Sequence, residues 1–204
     1  MPIFQPRQPQ FPPHLQGERK VLEAFRVLPA DTRVFVQVRL PDPEGPGAQV
    51  LPFLVVDPEL GLVLVNVLPE GAERRAGLWV RRDAAGEVAR MAPGPAEELQ
   101  AQQNALFKFL KGKDLSFIPR ITQVLALPSL PLEPGRALGP SLPAGRLLTE
   151  EKLRNPYIAL RLAVTGGRTW TEWSTTPLAS QYAIGGELMG RLAGWFQAVL
   201  GPGA

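Results

Sequence analysis

The fold turns on one stretch, Leu51-Pro52-Phe53-Leu54-Val55-Val56-Asp57-Pro58-Glu59-Leu60-Gly61-Leu62-Val63-Leu64-Val65-Asn66-Val67-Leu68. Two short apolar runs, Val50–Val56 and Leu62–Leu68, flank the segment Asp57–Gly61. Pro58 presets φ for a turn and Gly61 accepts a positive φ, so the stretch predicts a β-hairpin. Upstream, Val34, Val36, Val38 and Leu40 alternate with Phe35, Gln37 and Arg39, the pattern of a half-buried strand. Before it, Leu15, Leu22, Phe25 and Leu28 recur at helical spacing, which predicts a helix over 14–28 ended by Pro29.

Further out, residues 1–13 carry Pro2, Pro6, Pro9, Pro12 and Pro13 and predict an extended arm. Downstream, Leu78–Val80 and Glu87–Ala89 predict a second hairpin around Asp83–Gly86. Residues 95–111 read as a helix and Ile121–Leu127 as an apolar strand ending at Pro128. Residues 128–145 form an irregular excursion rich in proline and glycine. Thr149 is placed to cap a short helix with Glu150 and Glu151 in its first turn, which Asn155-Pro156 interrupts. A last helix is expected over 178–200, with Gly201 and Pro202 as its stop. Gly186, Gly190 and Gly194, four apart, would let another element pack closely on it. The order predicts a mixed α/β protein, a central mixed sheet flanked by helices. Its parts are an arm (1–13), an α/β core (14–128), and a Pro/Gly-rich loop with a helical C-terminal extension (129–204) packed on the core.

Composition narrows the chemistry. The 204 residues are 45% hydrophobic and 20% charged, which excludes wholesale disorder. With no Cys there are no disulfides, thiolate metal sites or cysteine nucleophiles, and the single His14 leaves little room for a His-based triad or metal cluster. The net charge of +3 is a mild excess. Heavy use of Arg, Pro, Ala, Gly and Leu suits a GC-rich bacterial genome, and proline-rich loops without Cys suit a thermophile. No segment reaches about 18 uncharged apolar residues, and the start Met1–Arg7 lacks a signal-peptide core. A cytoplasmic location without a membrane role is expected.

Gly17-Glu18 on an opening helix, then Leu28-Pro29, a strand, and the Leu51–Leu68 hairpin resemble the nuclease-related domain (NERD) of the PD-(D/E)xK nuclease superfamily. Gly77 and Trp79, Gln100 or Gln103 on a helix, and the strand Ile121–Pro128 fit the continuation of that pattern. Leu148–Leu153 also looks like the family's tail. The resemblance covers residues 17–128 and implies a restriction-endonuclease-like core. It further implies a Mg²⁺ site built from a helix Glu, a strand Asp and a Glu-x-Lys on the next strand. In a strand, positions i and i+2 share a face, which sets metal ligand and cation side by side. Here Glu18 is retained, but Pro52 stands in place of the Asp, Asn66 of the Glu and Leu68 of the Lys. Proline has no side-chain ligand, Asn offers one neutral oxygen, and leucine stabilises no anion.

The expected protein is therefore a catalytically inactive nuclease-like domain that binds DNA or a protein partner, with no cofactor. One alternative is an active Mg²⁺-dependent nuclease with relocated carboxylates, such as Glu70 with Glu18. Another is a purely structural or interaction protein. Arg74, Arg75, Arg81, Arg82 and Arg90 cluster on the second hairpin as candidate nucleic-acid contacts, and serve equally as solubilising charges on an exposed edge. Lys108, Lys111 and Lys113 extend the basic character at a helix end, and Arg168, Trp170 and Trp173 offer a stacking platform or simple packing.

Overall fold

The computed structural model describes the chain except residues 8, 10, 13–14, 42–46, 84, 131–137, 139–141, 167–182 and 201–204. The protein is mixed α/β. Six strands form the main sheet in the order β1 (Ile3–Gln5), β2 (Arg33–Pro41), β3 (Ala48–Asp57), β4 (Gly61–Val67), β8 (Ile121–Leu127) and β9 (Leu147–Thr149). The β2–β3 and β3–β4 pairs are antiparallel, whereas β1–β2, β4–β8 and β8–β9 are parallel. A separate antiparallel sheet of β5 (Ala72–Arg75), β6 (Leu78–Arg82) and β7 (Val88–Arg90) is inserted after β4.

All seven residues of β4 are buried, so both faces of the sheet need a cover. Leu62 and Leu64 meet α2 (Pro95–Lys111) and α5 (Gly186–Ala198) through Leu99, Leu106, Leu192 and Phe196. Val63, Val65 and Val67 belong to the opposite core with α1 (Gln16–Phe25) and α4 (Pro156–Thr165), through Val21, Phe25, Leu160 and Val164. The short α3 (Glu150–Leu153) adds Leu153 to that side, and the Thr149 hydroxyl caps it by accepting from the Lys152 N–H.

The predicted hairpin forms between β3 and β4, and its turn is held by a buried carboxylate. Asp57 Oδ1 accepts from the backbone N–H groups of Glu59 and Leu60 at 2.9 and 3.0 Å, and the Thr32 hydroxyl donates to Oδ2 at 2.5 Å. Gly61 completes the turn at φ +74°.

Several elements differ from the sequence reading. The N-terminal arm carries a strand that the sequence reading did not specify: Ile3–Gln5 pairs with β2, and Phe11 is buried against Phe53 at 5.6 Å between ring centroids. Pro156 interrupts one helix but also opens α4 at its first position, where a missing N–H costs nothing. The strands β5 and β9 were not anticipated, the former because its residues are mostly charged. The last helix is shorter than expected, with the upstream residues 178–182, the predicted stop Gly201-Pro202 and His14 outside the described residues. Among the described residues, no atom lies within 4 Å of a Cβ built at Gly186, Gly190 or Gly194, so no described element packs closely there. No helix among them is long and apolar enough to cross a membrane.

Gly71 joins the two sheets. It sits at φ +76°, accepts from the Arg82 N–H at 2.9 Å, and any Cβ there would run into the Arg82 carbonyl. Gly77 shares the positive φ but faces open space. Gly77→Ala should therefore cost about 1–2 kcal/mol from its backbone conformation alone. Gly71→Ala should cost about 3 kcal/mol or more in urea unfolding; equal costs would refute the joint. Tyr157 donates to Glu59 Oε2 at 3.1 Å, and burial with the nearby Asp57 and Glu59 carboxylates raises its phenol pKa. A raised phenol pKa stabilises the folded state fully below the unfolded value of about 10, and that contribution is lost as pH climbs above it. Stability measured across alkaline pH should fall more steeply in the parent protein than in Tyr157→Phe.

Candidate functional site

Pro52, Asn66, Leu68 and the first turn of α1 lie at the same end of the sheet, but Leu68 joins the α2/α5 core whereas α1, which carries Glu18, packs on the opposite face beside Val67. Gly17 makes this possible: a Cβ there would stand 3.1 Å from Val67 Cγ1 and 3.3 Å from Pro128 Cγ. A larger residue would lift the first turn of α1, which carries the half-buried Glu18, off the sheet end. Lys20 fastens the same helix by donating to Ser129 Oγ at 3.0 Å and to the Pro128 carbonyl at 3.4 Å.

Pro52 is a structural pivot. The β3–β4 ladder runs from Asp57↔Gly61 to Phe53↔Val65 and stops there, and the β2–β3 ladder skips from Val36↔Phe53 to Val38↔Leu51. A proline has no N–H to donate, so the ladders break at this residue. Opposite it, Gln37 adopts φ +55°, a left-handed conformation that costs a non-glycine residue about 1–2 kcal/mol. Side-chain alternation reverses across the pair. Val34, Val36 and Phe53 join the α1/α4 core, whereas Val38, Leu40 and Leu51 join the α2/α5 core. The kink thus re-aims the outer half of the β2–β3 hairpin toward α5, where Val38 bridges Leu200.

Asn66 and Leu68 are both buried. The Asn66 Oδ1 accepts from its neighbour's Val67 N–H at 2.7 Å, which satisfies a strand donor left over where the β3 ladder ends. Leu68 lies in the same apolar cluster as Leu64, Ala72 and Leu106. Glu70 is exposed beyond the strand end, and its carbonyl accepts from Arg81 Nε at 3.3 Å. This donor set does not suit Mg²⁺: it combines a proline, a carboxamide oxygen already engaged, and a leucine. Among the described residues no three Asp, Glu or His side chains converge on one point.

The glutamines tie α2 to the sheet. Gln100 pairs with Asn104 on the surface, Gln103 donates to the Ile121 carbonyl at 3.3 Å, and Gln123 of β8 donates to the Leu99 carbonyl at 3.1 Å. Gln102, expected with Gln100 and Gln103 away from the apolar side of the helix, is instead fully buried and donates to the Val50 carbonyl at 3.1 Å, while its own Oε1 has no partner among the described residues. Its place in the apolar stripe of α2 beside Leu99 and Leu106 was the available signal. Between α1 and α3 lies an open groove of about 480 Å³, edged by Arg19, Lys20, Glu23, Glu150 and Arg154 over Leu153 and Pro128.

The five arginines divide between the faces of the small sheet. Its register pairs Ala72 with Arg81, Arg74 with Trp79 and Arg81 with Ala89; these share one face, on which Ala72 and Trp79 pack against the core while Arg74, Arg81 and Ala89 are exposed. Glu73, Arg75, Leu78, Val80, Arg82, Val88 and Arg90 alternate onto the other. Lys113 caps an aromatic cluster instead, 4.6 Å from the Phe109 ring and 5.7 Å from that of Trp195. Lys108 and Lys111 lie in the last turn of α2, where the helix dipole favours them. Arg168, Trp170 and Trp173 lie outside the described residues.

Comparison of the chain with protein-family models, curated proteins and solved structures found no match in any of the three. The burial of position 68 has a direct consequence. Leu68→Lys should destabilise the fold by about 3–5 kcal/mol through an unpaired buried charge. Unchanged thermal stability would show that the position opens to water.

Proposed function

We propose that this chain is a nuclease-fold domain of the NERD type that has lost its chemistry and acts as a binding module for nucleic acid or a protein. The element order supports the reading: α1, the β2–β3–β4 meander, then α2 and a β8 parallel to β4. So does the close seat of Gly17-Glu18 against the end of β4. The observation that carries the loss of chemistry is the buried, internally satisfied state of Asn66 and Leu68 beside the Pro52 kink. Where metal, water and phosphate would have to meet, the sheet end carries apolar packing and a strand-capping amide. The reading includes the cytoplasmic location expected from the sequence.

A plasmid-cleavage assay with Mg²⁺ or Mn²⁺ tests it. No cleavage above the metal-only control is expected from the parent protein or from Glu18→Ala. Metal-dependent cleavage that disappears in Glu18→Ala would overturn the proposal in favour of relocated carboxylates.

A further inference from the structure

We infer that the outer face of the β5–β6–β7 sheet is a docking surface for the phosphate backbone of duplex nucleic acid, contacted by Arg75, Arg82 and Arg90. The inference rests on the binding-module reading and deepens it by naming the partner and the face.

Register carries the argument. In consecutive rows across the sheet, Arg75 lies beside Leu78, Glu73 and Arg90 flank Val80, and Arg82 lies beside Val88. This face is open: Leu78 and Val88 are 49% and 43% exposed, and the side chains of Arg75 and Arg82 are 50% and 48% exposed. All five arginines are exposed and Arg82 also donates to the Gly86 carbonyl at 3.2 Å, but Arg74 and Arg81 reach carbonyls outside the small sheet. Arg74 donates to the Leu138 carbonyl at 3.3 Å and Arg81 to the Glu70 carbonyl at 3.3 Å, both on the inner side.

On the outer face one carboxylate serves two guanidiniums. Glu73 lies 2.7 Å from Arg75 and 3.7 Å from Arg82, so the face stays net positive. Exposed ion pairs of this kind contribute little to stability, but they hold the two guanidinium groups on one side of the sheet. The three arginines sit on three successive strands, each about 4.8 Å from the next, so the patch spans the width of the small sheet, with Arg75 and Arg82 meeting at Glu73 and Arg90 on the far strand. A flat cationic patch complements an extended line of charge better than a single small anion. Duplex nucleic acid supplies about one charge per 1.7 Å of axis.

The face has no aromatic side chain, since Trp79 is turned toward the core. Stacking on single-stranded bases is therefore not available to it. Recognition is of the backbone, without base readout.

The test is fluorescence anisotropy of the full chain with a labelled mixed-sequence duplex, in EDTA, over a salt series, with thermal melts confirming that each variant folds. The logarithm of the binding constant is expected to fall linearly with log salt. Arg75→Ala, Arg82→Ala and Arg90→Ala should each lower the slope by about one. Arg74→Gln and Arg81→Gln should leave it unchanged, Glu73→Gln should tighten binding at low salt, and the single strand should bind more weakly than the duplex. Absence of duplex binding at low salt would overturn the inference. So would equal slope losses on both faces, or binding to anionic vesicles alone. Metal-dependent cleavage with this slope pattern intact would overturn the non-catalytic reading and leave the face standing. No cleavage together with no slope pattern would overturn the face alone.

Discussion

The rest of the structure depends on the burial of β4 from both sides. A strand with seven consecutive buried residues exposes no face to water, so it needs a helical layer above and another below. Its two neighbours impose different demands. The antiparallel pairing with β3 is closed by a short turn. The parallel pairing with β8 requires a long crossover, because the chain must return to the starting end of the sheet. That crossover contains both the small sheet and α2. The arginine-bearing sheet is therefore an insertion in an obligatory connection, tied to the core through Ala72 and Trp79.

The same constraint shapes the end of β4. Ionisable groups there would need water, metal or one another, since a buried charge is costly without compensation. Asn66 and Leu68 meet the demand differently, one by turning its amide onto the strand's own backbone and the other by joining the core. Pro52 adds to this by ending both of β3's ladders and redirecting the outer hairpin. All three residues suit packing at the sheet end.

How far the chain could be read without its structure varies with the kind of signal. The β3–β4 hairpin was legible because a Pro and a Gly punctuate two apolar runs. The helix over 95–111 was legible because Pro95, Glu97 and the late lysines mark its ends; the Glu97 carboxylate indeed accepts from the Gly94 N–H. The reversal at Gln37 was not legible, since nothing in a glutamine announces a left-handed backbone. Strand β5 was hidden because its exposed face is charged, and β9 because it follows a proline-rich excursion and is set by its partner β8. At the site, the identities of residues 18, 52, 66 and 68 could be read directly. The capping role of the Asn66 amide and the split of the arginines between faces could not, because both follow from register.

The main sheet ends in β1 on one side and β9 on the other, each three residues long, and Pro6 follows β1 directly. An edge that short presents few unpaired backbone groups, and the proline withholds one donor more. At those two strands the described sheet offers poor purchase for strand addition, whether by a second copy stacking into a fibre or by an extended peptide seeking a ladder. Beyond β1, the same side of β2 is met by the segment after α5, where the Arg39 N–H donates to the Val199 carbonyl at 3.0 Å.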